Sequence, residues 1–112
     1  MSKSITREEL KRRLGAGEPF VLVEALPAKY FDHAHIPGAI RLNWDEVDRA
    51  SQVLPDRSAP VVTYCAHETC ENSHKLAAAL ESQGYADVAV YTGGKKDWID
   101  AGLPVEKTRE AA

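Results

Sequence analysis

The stretch Pro60 to Gly84, PVVTYCAHETCENSHKLAAALESQG, constrains the fold more than any other part of the chain. Val61, Val62, Thr63 and Tyr64 form a short β-favouring run that ends at Cys65. A polar loop follows, and an alanine-rich segment from Asn72 or Ser73 to Gln83 then has the composition and length of a helix. Strand, loop and helix in that order put a thiol where loop N–H groups and the positive end of a helix converge. Such surroundings favour thiolate over thiol and can hold an anionic group attached to sulfur, which makes Cys65 a candidate nucleophile.

The rest of the chain alternates in the same way. Thr6 and Glu9 form a capping-box pair with Ile5 and Leu10 as hydrophobic staple, predicting a helix from Arg7 to Leu14 ended by Gly15 and Gly17. Phe20 to Glu24, FVLVE, is a run of the kind buried in a parallel sheet. Pro27 to Asp32 reads as a short helix setting Tyr30 and Phe31 against the sheet. His33 to Ala39 reads as a loop with a Pro37-Gly38 turn, Ala39 to Leu42 as a short strand, and Asp45 to Ala50 as a helix capped by Asn43.

Gly84 stops the alanine-rich helix, and Val88 to Tyr91 is a further strand. Gly93-Gly94 reads as a turn and Lys95 to Ala101 as a last helix anchored by Trp98 and Ile99, after which Val105 returns to the core. Strands alternating with helices predict an α/β fold with a largely parallel sheet of about five strands covered on both faces. Ligands of such sheets bind beyond the carboxyl ends of the strands.

A chain of 112 residues has room for one compact domain, here 1–112 with a core from about residue 5 to 105. A net charge of -3 offers no basic footprint for nucleic acid or an anionic membrane, and no run approaches the length of a membrane-spanning helix. MSKSITREEL lacks the apolar run of a secretory leader, so the expected compartment is the cytoplasm. In a reducing compartment, two cysteines five positions apart point to redox, catalytic or metal chemistry.

Several residues carry two readings. Cys65, His67, Cys70 and His74 spell C-x-H-x2-C-x3-H, zinc-ligand types without a C-x2-C knuckle. His67 is either a proton donor near the sulfur or a solvated loop residue. Cys70 is either a partner thiol or a small buried residue. Glu24 either accepts N–H bonds from the loop or is satisfied locally. Arg41, Lys95 and Lys96 supply charge at the mouth of the site or are solvated surface. Trp44 and Trp98 are core or groove wall, and His33 and His35 hydrogen-bond their turn.

LVEA near the start, HIPGAI at 35 to 40, YC at 64 and 65, LAAAL, GYADVAVYTGG and the closing W-x-x-A-G-L-P-V together resemble the rhodanese-like domain in its single-domain form. The resemblance spans about Ile5 to Val105. It implies a sulfurtransferase or sulfur carrier in which Cys65 takes a sulfane sulfur as a persulfide and passes it to a thiol acceptor. No cofactor is expected. The implied partners are a small sulfur donor and a thiol acceptor, either a small molecule or a protein. Ala66, His67, Glu68, Thr69 and Glu71 match the loop whose N–H groups cradle the terminal sulfur.

Two cations that family members often carry are absent. The Asp-x-Arg after the first strand reads Glu24-Ala25-Leu26, and the arginine some five residues past the nucleophile reads Cys70. Glu68 and Glu71 add negative charge where a dianion approaches, so thiosulfate is not the expected natural donor. Phosphatases with a cysteine nucleophile need the loop arginine to grip phosphoryl oxygens, which argues against that activity. Cys70 is the candidate resolving thiol, attacking the Cys65 persulfide, releasing sulfide and leaving a disulfide. The alternative is an inactive rhodanese-like binding module, against which the retained Cys65 argues.

Overall fold

The structure is a computed structural model and describes residues 3 to 107. Alternate residues of a strand point to opposite faces of its sheet, and here both sets are apolar. The sheet has five parallel strands, β1 (Lys3–Ile5), β2 (Val21–Glu24), β3 (Ile40–Arg41), β4 (Val61–Tyr64) and β5 (Val88–Tyr91), in the order β1-β5-β4-β2-β3. Five α-helices accompany it: α1 (Arg7–Ala16), α2 (Ala28–His33), α3 (Ala50–Val53), α4 (Asn72–Ser82) and α5 (Gly94–Asp100). A 3-10 helix, Trp44–Arg49, precedes α3.

On one face Val23, Val61, Val88 and Val90 pack with Leu76, Ala77 and Leu80 of α4 and with Leu42, Ala50 and Leu54. On the other, Leu22, Val62, Tyr64, Ala89 and Tyr91 pack with Leu10 of α1, Ile36 and Trp98 of α5. Every residue of β4 and β5 is buried, as a parallel sheet covered on both sides requires. The α/β architecture read from the sequence is the one observed.

Local departures have local causes. Thr6 Oγ1 accepts the Glu9 N–H at 3.1 Å, but the Glu9 carboxylate turns to Arg12 at 2.8 Å, so only half the expected capping box forms. Helix α1 runs through Gly15 and ends at Gly17, whose φ of 69° is the left-handed cap that glycine adopts freely. Pro27 caps α2 rather than opening it, and Tyr30 lies exposed instead of against the sheet. Asn43 and Glu46 form a full capping box, but the segment they start is 3-10 before it becomes α-helical.

Strand β1 was not expected, because KSI carries little apolar pattern and takes its strand form from pairing with β5. Trp44 is exposed rather than core or groove wall, with the Lys75 ammonium 4.9 Å from its ring centre. Trp98 is buried and donates from Nε1 to the Pro104 carbonyl at 2.7 Å. Val105 packs against the second core, and His35 and Glu106 then exchange backbone hydrogen bonds of 2.8 Å each. The expected span 1–112 extends past the described residues at both ends. Among the described residues no helix is long and apolar enough to cross a membrane.

Candidate active site

Strand β4 lies between β2 and β5, so its carboxyl end delivers Cys65 to the middle of the sheet edge. Cys65 is 1% exposed. Its Sγ lies 3.3 Å from the Cys70 carbonyl oxygen, 4.0 Å from that of His67 and 3.5 Å from Ser73 Oγ. The Cys70 N–H donates to the His67 carbonyl at 3.1 Å, closing a turn over the sulfur, and α4 starts two residues later.

Burial is the largest influence on this thiol and pushes it above its ordinary value. The neighbouring Cys70 thiol pushes the same way, while the Ser73 hydroxyl and N–H pull it down without overcoming burial. The sequence led to the opposite expectation, a pocket favouring thiolate. With the loop closed, the sulfur meets carbonyl oxygens that accept from a thiol, and the helix start contributes only through Ser73.

The loop rests on α5. The N–H groups of Lys95 and Lys96 donate to the carbonyls of Cys65 and Ala66 at 2.7 and 2.8 Å. Gly94 has a φ of 74°, and a Cβ there would come within 2.7 Å of the Cys65 oxygen and 2.8 Å of the His67 nitrogen. Only glycine lets the two backbones approach so closely. Beneath them lies Glu24, fully buried, accepting from the Tyr64 hydroxyl at 2.7 Å and from Lys95 Nζ at 2.9 Å. Burial and the Glu24 charge together push the Tyr64 phenol well above its ordinary range.

Of the residues singled out from the sequence, the structure brings Cys65, Cys70 and the His67 carbonyl together. Ala66 faces α5 through its carbonyl, and the exposed His67 ring pairs through Nδ1 with Thr69 Oγ1 at 2.9 Å. Glu68 and Glu71 are exposed, Glu71 as the residue before α4. A cleft of about 470 Å³ runs between His67, Glu68 and Thr69 on the loop side and Gly93, Lys96, Asp97 and Asp100 on the other. Cys65 does not line it; the cleft reaches the outside of the loop.

Glu24 does not accept from loop N–H groups, because Tyr64 and Lys95 reach its carboxylate first. Arg41 is neither mouth charge nor solvated: it pairs with Glu46 at 2.6 Å and donates to the Leu26 carbonyl at 3.2 Å. Lys96 pairs with Asp100 at 2.5 Å. His35 hydrogen-bonds its turn as expected, with Nδ1 2.9 Å from the Phe31 carbonyl, while His33 is exposed. Among the described residues no three His, Cys, Asp or Glu side chains assemble a metal site, so the C-x-H-x2-C-x3-H spacing does not become a ligand set.

A family model for the rhodanese-like domain matches residues 6–101. The chain belongs to the rhodanese-like domain family. The thiosulfate sulfurtransferase GlpE of Actinobacillus succinogenes is 33% identical over 89 residues, which are 80% of this chain and 78% of that protein. An HTH-type transcriptional regulator of Mycobacterium tuberculosis is 35% identical over 105 residues, 93% of this chain but only 45% of the regulator's length. The solution structure of a rhodanese-like domain from Anabaena superposes with a TM-score of 0.82 at 30% identity, covering 100% of this chain and 86% of that one. This chain thus has a sulfurtransferase among its relatives, aligned over most of both chains.

Sequence reasoning missed Ser73, Gly94 and the reach of Lys95 to Glu24. Ser73 stood at the expected helix start, eight positions past Cys65, where its hydroxyl and N–H turn back toward the strand end. The pairing of Glu24 and Lys95 joins positions 71 residues apart and leaves no local pattern.

Proposed function

We propose that the protein forms a persulfide on Cys65 and passes the outer sulfur to a thiol acceptor. The observation that supports this reading best is the Cys65 thiol, set at the strand end of a rhodanese-like chain with Ser73 and Cys70 around it. In the loading step the Cys65 thiolate attacks the outer sulfur of a donor persulfide, the donor's S–S bond breaks, and the donor leaves as a thiolate. In the unloading step an acceptor thiolate takes that sulfur and Cys65 is regenerated.

Cys70 provides a second exit. Its thiolate attacks Cys65 Sγ, expels hydrosulfide and leaves a Cys65–Cys70 disulfide, which two equivalents of a cellular thiol reduce. A reducing compartment, the cytoplasm, suits that cycle. Because Cys65 is enclosed, loading requires residues 66 to 71 to open. The loop then offers no cation, and Glu68 and Glu71 lie exposed on it, so a low-molecular-weight persulfide is favoured over the dianion thiosulfate as donor.

Intact-protein mass spectrometry tests the reading. Reduced wild type, Cys65→Ala and Cys70→Ser are incubated separately with thiosulfate and with a low-molecular-weight persulfide. The expected result is the gain of one sulfur from the persulfide, absent in Cys65→Ala, with slower sulfide release and no intramolecular disulfide in Cys70→Ser. Loading by thiosulfate alone overturns the donor assignment. No loading by either donor overturns the reading and moves a binding module forward, an alternative that the likeness to a transcriptional regulator supports.

A further inference from the structure

We propose that the buried pair of Glu24 and Lys95 positions the nucleophile loop, acting on Cys65 through the first turn of α5. The inference rests on Cys65 as the reactive thiol but deepens that reading, because neither residue touches the sulfur.

The pair is complete. Glu24 is 0% exposed, and its two carboxylate oxygens accept from Tyr64 at 2.7 Å and Lys95 at 2.9 Å. The Lys95 ammonium has three protons and three acceptors: Glu24, the Tyr30 carbonyl at 3.0 Å and the Ala34 carbonyl at 2.6 Å. The Tyr64 hydroxyl in turn accepts the Ile36 N–H at 3.0 Å. One network therefore ties the ends of β2 and β4 to α2, to the segment after it and to α5.

Stability alone does not call for such a network. Well-packed apolar side chains of similar volume serve a core as well as a buried ion pair or better. What the pair adds is a fixed place for α5 relative to the strand that ends at Cys65. Lys95 is anchored twice, by its ammonium to Glu24 and by its own N–H to the Cys65 carbonyl at 2.7 Å. Lys96 holds the next carbonyl, that of Ala66, at 2.8 Å. In planar trans peptides the N–H points opposite to the C=O, so these two bonds turn the Ala66 and His67 N–H groups away from α5. The Glu24 and Lys95 pair thus decides which way the first two peptides of the loop face.

The test compares wild type, Glu24→Gln and the double variant Glu24→Gln/Lys95→Met. The double variant removes both charges together and leaves neither unpaired. Two readouts are taken: the pH profile of Cys65 alkylation by iodoacetamide, which needs no sulfur donor, and single-turnover sulfur loading from a low-molecular-weight persulfide. The expected result for the double variant is a lowered unfolding midpoint, since the Tyr30 and Ala34 carbonyls lose the Lys95 donor. Loading slows by about tenfold at a pH where the thiol is fully ionised, because the Ala66 and His67 N–H groups are no longer held in one direction. Its alkylation profile moves to lower pH, because a loosened loop relieves the burial that holds the thiol up.

Glu24→Gln keeps shape and volume but leaves the Lys95 ammonium without its counter-charge; it is expected to shift both readouts in the same direction and carries the test should the double variant not fold. Wild-type loading and an unmoved alkylation profile in whichever variant folds overturn the proposal. If wild type itself takes up no sulfur, the sulfurtransferase reading fails, and the alkylation profile still decides the positioning role.

Discussion

The hydroxyl of Ser73 lies 3.5 Å from Cys65 Sγ, and both residues are buried. Thr63 Oγ1 donates to the Ser73 carbonyl at 3.0 Å, so the first turn of α4 is fixed against the strand that carries the cysteine. Ser73→Ala removes one of the two groups that favour the thiolate. The expected loss is about 1 kcal/mol of thiolate stabilisation, a roughly fivefold slower alkylation at neutral pH. Iodoacetamide kinetics against pH check it: the Ser73→Ala profile moves to higher pH, and an unmoved profile rejects the role.

Stability carries the same signature with a definite sign. The Cys65 thiol is held above its ordinary value, so the folded chain keeps a proton that the unfolded chain has already released. Its contribution to stability is complete below the ordinary thiol range and is lost as pH rises from there through the folded value. Urea midpoints measured from about pH 7 to 10, across the usual thiol range, are expected to fall further in wild type than in Cys65→Ala. Parallel falls contradict the expectation.

Gly94→Ala brings two penalties to one position, a positive φ of 74° and a Cβ within 2.7 Å of the Cys65 oxygen. The three nearest atoms, the Cys65 oxygen and the His67 nitrogen and Cα, all belong to backbone and none is the end of a flexible side chain. A loss of about 3 kcal/mol is expected, together with faster Cys65 alkylation as the loop is pushed off α5. Thermal unfolding and alkylation rate read the two effects separately.

Tyr85→Phe provides a contrast far from the sulfur. The buried Tyr85 hydroxyl donates to the Leu54 carbonyl and approaches that of Ala50 at 3.2 Å, fastening α3 to the connection between α4 and β5. Its removal takes the hydroxyl donor from the Leu54 carbonyl, while the Ala50 carbonyl keeps the Leu54 N–H, and costs about 1 to 2 kcal/mol, with Cys65 alkylation unchanged. A changed alkylation rate would show that the two ends of the fold are coupled.

The elements and their order were legible because their causes are local. The β-branched runs at Val61–Tyr64 and Val88–Tyr91 and the alanine-rich turns of α4 each state their own conformation. Cys65 was legible as a strand end. Its protonation was not, because that depends on which atoms the closed loop turns inward, and the loop turns in the carbonyls of His67 and Cys70. The partners of the end of β2 were equally hidden. The Leu26 carbonyl receives Arg41 from β3, and the neighbouring Glu24 receives Lys95 from α5. Such long-range contacts leave no spacing to read.

Strand β1 is the first in the chain and pairs with the last, Lys3 opposite Ala89. That edge of the sheet closes only after residues up to Tyr91 have been made, at the entropic cost of a very long loop. During synthesis the segment waits without a partner, and its exposed, lysine- and serine-bearing sequence gives it little to hide meanwhile. Assembly of the sheet is therefore expected to start at the central pairing of β2 with β4 and end with β1. Pulse-labelled hydrogen exchange during refolding checks the order: the amides of Lys3 to Ile5 gain protection after those of Val61 to Tyr64, and simultaneous protection contradicts it.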